Sequence, residues 1–271
     1  MRHEDHNREI LKGFNNPKRE ERALSLLDLI ELRTFDLDLA AWFVSLVSRG
    51  ASYITGSGPG GVGKTTTMRS LLSFVPDNLR FAIALPGEVS AIDGVPHCVI
   101  SNELSDHPPP TYLWGQNLRD FFALSGQGHL LVGNVHADGL KEVRGQIVET
   151  NHVPESQFRA VNLLVFICLE GGNPPGGRVK DRTTRRVIHK IFYSDGASEH
   201  EPVYTLENGL TPSAPRDPDD EKLCRAFLEE TLNSPERTLE GVRHRFLEWK
   251  KNNDGRPYGN PLPPPPRPDR R

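Results

Sequence analysis

Cysteine is scarce in this chain. It holds three, Cys98, Cys168 and Cys224, scattered and without CxxC or Cys/His spacing. That excludes a disulfide framework and a zinc site and reads as reduced thiols. No apolar run approaches the length of a membrane span. The opening stretch, MRHEDHNREILKGF, lacks the apolar centre of a signal peptide, so the expected location is cytoplasmic. Peripheral attachment at the inner face of a membrane, through a partner, stays open. Neither charge is in surplus: the formal net charge of -3 gives no basis for general nucleic-acid binding, and none is predicted. No internal repeat is visible.

Within 271 residues, 36% hydrophobic and 25% charged, there is room for one large α/β domain with appendages. Residues 1–20 are polar, without a sustained period, and read as a flexible arm. Helical stripes follow at Leu26, Leu29 and Ile30 and at Leu39, Phe43, Leu46 and Val47. Strands are expected over residues 51–55, 81–85, 112–114, 130–135, 161–169 and 184–192, the last two joined as a long hairpin. Helices are expected over 65–74, 118–124 and 140–149, and the proline-bearing stretch 101–111 as a loop. Beyond Pro212 a helix carries Leu223, Ala226 and Phe227, and a second places Leu239, Val242, Phe246 and Trp249 on one face. The end, GRPYGNPLPPPPRPDRR, has the composition of a polyproline II tail. The expected segments are a polar arm and helix over 1–35, a main domain over 36–212, a helical extension over 213–252 and a Pro-rich disordered tail over 253–271.

The segment Gly58, Pro59, Gly60, Gly61, Val62, Gly63, Lys64, Thr65 satisfies G-x-x-x-x-G-K-[ST] in full. Glycines let consecutive backbone N–H groups converge on phosphate oxygens, and a helix starting near Lys64 adds its positive end. In such a loop Lys64 reaches the β- and γ-phosphates, the Thr65 hydroxyl takes Mg²⁺, and Thr66 follows on the helix. The cofactors implied are ATP and Mg²⁺, with GTP open. The expected fold is a P-loop NTPase (RecA-like) three-layer α/β fold with a mostly parallel central sheet, a β-hairpin extension and C-terminal helices.

Residues 36–195 resemble the motor ATPases of type II and type IV secretion and of pilus assembly. The resemblance rests on LAAWFVSLVSRGASYITGSGPGGVGKTTTMRSLLSFVP, on GHLLVGNVHA with His129 and His136 at the positions of the family's histidine box, and on RTTRRVIHKIF. It implies ATP hydrolysis in a homo-oligomer, usually a ring of six, that moves a membrane-protein partner. It also implies that His136 senses the γ-phosphate, whereas His129, at the other end of its strand, is farther from the phosphates.

The chain departs from the family at its acids. In the acidic box Ala84 and Leu85 replace two carboxylates and Glu88 survives. In the Walker B region Trp114-Gly115-Gln116 offers a glutamine, which cannot accept a proton as a carboxylate does. Glu88 is therefore the first choice for the catalytic carboxylate, with Glu103, Asp106 and Asp120 as substitutes. Asp120 beside Arg119 also reads as a surface ion pair. The basic run Arg178, Lys180, Arg182, Arg185 and Arg186 reads as a solvated loop or as a finger toward a neighbouring subunit's nucleotide. Two functions follow: a secretion-type motor ATPase, or a nucleotide-binding regulator or scaffold with weak or lost hydrolysis. A nucleotide kinase or DNA-linked ATPase fits the residues less well.

Overall fold

The computed structural model describes residues 2–15, 22–92, 94–107, 109, 111–174 and 177–253. They form two compact units. One comprises Ala51–Thr65 and Phe81–Ala214; the other comprises the described residues of Met1–Gly50, Thr66–Arg80 and Pro215–Leu262. The Pro-rich stretch from residue 254 onward lies outside the described residues. No helix among the described residues is long and apolar enough to cross a membrane.

The first unit is built on a sheet of eight strands: β1 (Tyr53–Gly56), β2 (Arg80–Ile83), β3 (His97–Ile100), β4 (Leu130–Val135), β5 (Leu163–Leu169), β6 (Arg186–Tyr193), β7 (Glu201–Thr205) and β8 (Gly209–Leu210). Their order is β2-β3-β4-β1-β5-β6-β7-β8. β4 and β5 flank β1 in parallel, with Ile54 opposite Gly133 and Leu164, and β3 pairs parallel with β4. From β5 onward the pairing is antiparallel. The expected hairpin is thus β5–β6, and it continues the same sheet through β7 and β8. Strands covered on both faces need continuous apolar sequence rather than alternation. YITG in β1 and LLVGNV in β4 are accordingly buried at every position.

The sheet packs against α5 (Gln116–Ala123), α6 (Leu140–Arg144), which continues as a wider turn over Gly145–Thr150, and α7 (Glu155–Arg159). Their core joins Ile54, Val99, Leu131, Leu164 and Phe166 to Phe121, Phe122 and Phe158, each 1% exposed or less. Each such side chain contributes roughly 1.5–3 kcal/mol of burial.

The expected strand over residues 112–114 is not one. Gly115 follows at φ +58, and only Leu113 pairs, in a single bridge to Leu104. The strand beside β4 is β3 instead, four residues beginning on a histidine and too short to announce a period.

In the second unit α3 (Leu37–Ser48), capped by Asp36, packs on α8 (Pro218–Leu232). The buried Ser45 hydroxyl donates to Asp220 at 2.5 Å, and burial pushes that carboxyl up. Phe74, Phe227, Phe246 and Trp249 form an aromatic cluster with α9 (Leu239–Asn253).

The N-terminal segment, expected as a flexible arm, is helix α1 over Arg2–Gly13. Its inner face is Glu4, Asn7 and Leu11, at spacings of three and four. Asn7 donates to Leu79 O at 2.9 Å, and Glu4 accepts from Arg243 at 2.7 and 2.9 Å. Two of these three inward positions are polar, so hydrophobic periodicity could not reveal the helix.

Candidate functional site

β1 ends at Gly56, and the glycine-bearing segment leads directly into α4 (Lys64–Leu71). Gly61 and Gly63 adopt φ +80 and +116, values that cost an L-residue dearly. A Cβ on Gly58 would meet Asp138 Oδ2 at 2.3 Å, and one on Gly61 would meet Val179 O at 2.4 Å. Among the described residues the N–H groups of Gly61, Val62 and Gly63 donate to no protein group. Orphan donors grouped at a helix start form an anion cradle. The N–H of Gly58 donates to Asp138 Oδ1 at 2.7 Å, and that oxygen also accepts from Asn173 at 3.2 Å.

Lys64 is 5% exposed. Its Nζ donates to Ser57 O at 3.1 Å and lies 3.1 Å from His136 Nδ1, which is also 2.9 Å from Gly58 O. An ammonium only donates and a carbonyl only accepts, so Nδ1 can satisfy Lys64 or Gly58 O but not both, and the other ring nitrogen is Nε2. That nitrogen faces Glu103 Oε2 at 3.7 Å. Glu103 is itself buried, and its other oxygen, Oε1, has no hydrogen-bond partner. Burial lowers the Lys64 pKa, with Glu103 and Asp138 opposing the shift. Burial likewise raises the Glu103 pKa, with Lys64 and His136 opposing it. Each group therefore offsets part of the other's desolvation.

The topology explains the convergence. Ser57 follows β1, Glu103 follows β3 and His136 follows β4, and the carboxyl ends of adjacent parallel strands are where α/β sheets gather ligand groups. The chain beyond β3 stays on β4: Ser101 N donates to Val132 O and Leu104 N to Asn134 O, both at 2.8 Å. This places Glu103 between them.

Asn134 is fully buried. Its Oδ1 accepts from Thr55 at 2.5 Å, and its Nδ2 donates to Asn102 O at 2.8 Å and approaches Thr65 Oγ1 at 3.3 Å. The last contact is long and leaves the Thr65 oxygen a donor for a hard cation. Magnesium binds through few protein oxygens when phosphates and waters complete its shell. The glycine cradle and the Thr65 oxygen therefore fit a magnesium-bound phosphate.

The structure brings Gly58, Gly60, Gly61, Val62, Gly63, Lys64, Thr65, His136 and Glu103 together, with Thr66 on the first turn of α4. Glu88 is exposed and starts the single turn Val89–Ala91, its N–H donating to Leu85 O at 3.0 Å. Its side chain makes no hydrogen bond among the described residues. Gln116 opens α5 and is bonded to Asp120 at 2.6 Å and to Arg119 at 2.9 Å. Asp120 thus holds Gln116, and Arg119 also reaches Asn151 O at 3.0 Å. Asp106 pairs with His107 on the surface. His129 sits at the far end of β4, accepting from the His97 N–H at 3.0 Å.

Asn134, Asp138 and Asn173 were not singled out by the sequence. Asn134 had a signal: it is the one amide in the apolar run Leu130–Val135, and a buried polar group needs partners.

No protein-family profile and no curated protein matches the chain. Among solved structures it is similar to the VirB11 ATPase from the Brucella suis type IV secretion system, crystallised in complex with sulphate. The identity is 18%, the TM-score 0.38, and the match covers 63% of this chain and 57% of that one. The chain therefore spans little more than half the length of that protein.

Proposed function

We propose that this chain binds a magnesium–nucleoside triphosphate, ATP first, at residues 58–66 and hydrolyses it with Glu103 as the proton acceptor. The observation that carries the reading is the meeting of Lys64, His136 and the buried, half-unpartnered Glu103 beside a loop whose N–H groups lack acceptors.

Lys64, held on Ser57 O and the imidazole, exchanges those contacts for β- and γ-phosphate oxygens. Glu103 takes the proton of a water that attacks the γ-phosphorus as the bond to the β-bridging oxygen breaks. Its raised pKa moves it toward the range where a carboxylate works as a base. His136 stands between Lys64 and Glu103, its Nδ1 3.1 Å from Lys64 Nζ and its Nε2 3.7 Å from Glu103 Oε2. Thr65 would hold Mg²⁺, which supplies charge neutralisation at the phosphate oxygens. Glu88, exposed at its turn, is left as a surface residue. The resemblance of residues 36–195 to secretion and pilus motors supports a wider setting, a homo-oligomer, in that family a ring of six, that drives a membrane-protein partner.

The test is nucleotide affinity and phosphate release by wild type, Lys64→Ala, Glu103→Gln and Glu88→Gln. Expected are lost binding in the first variant, retained binding with turnover down at least about 100-fold in the second, and little change in the third. Tight binding by wild type without phosphate release would favour the regulatory reading, which the missing acids at Ala84, Leu85 and Gln116 make the chief rival. No binding at all would overturn both.

A further inference from the structure

The loop between β5 and β6 does not stand clear of the phosphate loop. Val179 N–H donates to Gly60 O at 2.9 Å, and residues 60 and 178 pair as an isolated parallel bridge. Only glycine permits this approach at Gly61, where a Cβ would lie 2.4 Å from Val179 O. The recorded bond uses a carbonyl of the phosphate loop and leaves the N–H groups of Gly61, Val62 and Gly63 without acceptors. The contact thus anchors the β5–β6 loop without occupying the cradle.

That anchor fixes the stem of Arg178. Its Cγ lies 3.6 Å from the point a Cβ on Gly60 would take, and His136 Cε1 lies 4.0 Å from the same point. The arginine stem and the imidazole that touches Lys64 therefore both flank Gly60. Two of the other basic residues nearby are committed elsewhere. Arg185 is paired with Glu170, and Arg186 with the carbonyls of Asp181 and Thr184. Asp181, the nearest acid in sequence, is taken by the hydroxyls and N–H groups of Thr183 and Thr184. Arg178 is exposed and has no ion-pair or hydrogen-bond partner for its guanidinium among the described residues. A permanent cation held without a carboxylate beside orphan anion donors lacks only its anion.

We propose that Arg178 is a phosphate-contacting residue that acts in cis, bringing its guanidinium to the terminal phosphate of the nucleotide bound by the same chain. The assignment rests on the nucleotide-binding reading above and deepens it. It makes the β5–β6 loop part of the nucleotide site and makes the site's preference for triphosphate over diphosphate depend on one arginine. The cation is delivered by the same chain, unlike the finger that reaches a neighbour.

The experiment measures ATP-analogue and ADP affinity and phosphate release for wild type, Arg178→Ala, Arg178→Lys and Lys64→Ala, with thermal melts as a folding control. Arg178 is exposed, so its variants are expected to melt with wild type. Arg178→Ala should weaken triphosphate binding about tenfold, the scale of one charge-assisted contact, and leave ADP affinity within about twofold. Arg178→Lys should recover part of the loss. Unchanged ADP and ATP affinities and turnover in Arg178→Ala, with Lys64→Ala inactive, would overturn this inference alone. Wild type that binds neither nucleotide would overturn the nucleotide reading and this one with it. Mixing Arg178→Ala with Lys64→Ala chains separates cis from trans: no recovery of turnover is expected, and recovery would mean that the arginine serves a neighbouring chain.

Discussion

At the scale of single residues, the site depends on charges that would be costly alone. Glu103 is 5% exposed and its carboxyl is pushed above its ordinary value of 4.5 by burial. Between that value and its folded one, the native state keeps a proton that the unfolded state has released, so stability falls as pH rises through the window. Glu103→Gln removes this dependence. It is expected to raise the melting temperature at pH 7, with the gain shrinking as pH falls toward 4.5. A variant less stable than wild type at pH 7 would show that the carboxylate is better satisfied than its free Oε1 implies.

Gly61 supplies the opposite kind of test. Its φ of +80 and the carbonyl in the place of a Cβ leave no room for a methyl group. Gly61→Ala should cost at least about 1–3 kcal/mol in urea unfolding and abolish nucleotide binding, even though the methyl group reaches no phosphate. A normal melt with normal binding would mean that the β5–β6 loop moves aside freely.

At the scale of elements, α1 shows how a polar helix is kept in place. Arg243 on α9 is fully buried, bidentate to Glu4 and donating to Val75 O at 2.6 Å. Glu4→Ala leaves a buried guanidinium short of its counter-charge and should destabilise by about 2 kcal/mol or more. Adding Arg243→Met should return part of that loss, because the charge that needed pairing is gone. A double variant that costs as much as the sum of its singles would refute the coupling.

The elements also show what could be read in advance. The apolar runs of β1, β4 and β5, the helix after the glycine-bearing segment and the C-terminal helix pair were legible because burial on both faces, glycine punctuation and helical stripes all leave local marks. β3 and α1 were not. Four residues carry no period, and a helix whose inner face is Glu4, Asn7 and Leu11 has no apolar stripe. The site followed the same divide. The loop was explicit, and His136 was named from its resemblance. The carboxylate was sought first at Glu88 because the family's spacing pointed there. The proposal of Glu103 rests instead on the order β3-β4-β1, a three-dimensional arrangement with no spacing in the sequence.

At the scale of the whole molecule, the helical unit is assembled from three stretches separated by the sheet unit. Phe74 from the second stretch meets Phe227 and Phe246 from the third, at 6.4 and 5.1 Å between ring centroids. Phe246→Ala should cost roughly 3–5 kcal/mol. Hydrogen exchange should show the loss in α8, α9 and residues 66–75 together, despite some 150 residues of chain between them. Protection lost from α9 alone would mean that the stretches do not form one cooperative unit.

The sheet's outer margins have a consequence of their own. It closes on one side with β2, four residues long, and on the other with β8, only two. Unpaired backbone on so short a rim gives an incoming strand almost nothing to zip onto. Strand-to-strand growth into a fibre is accordingly disfavoured at both margins of the sheet.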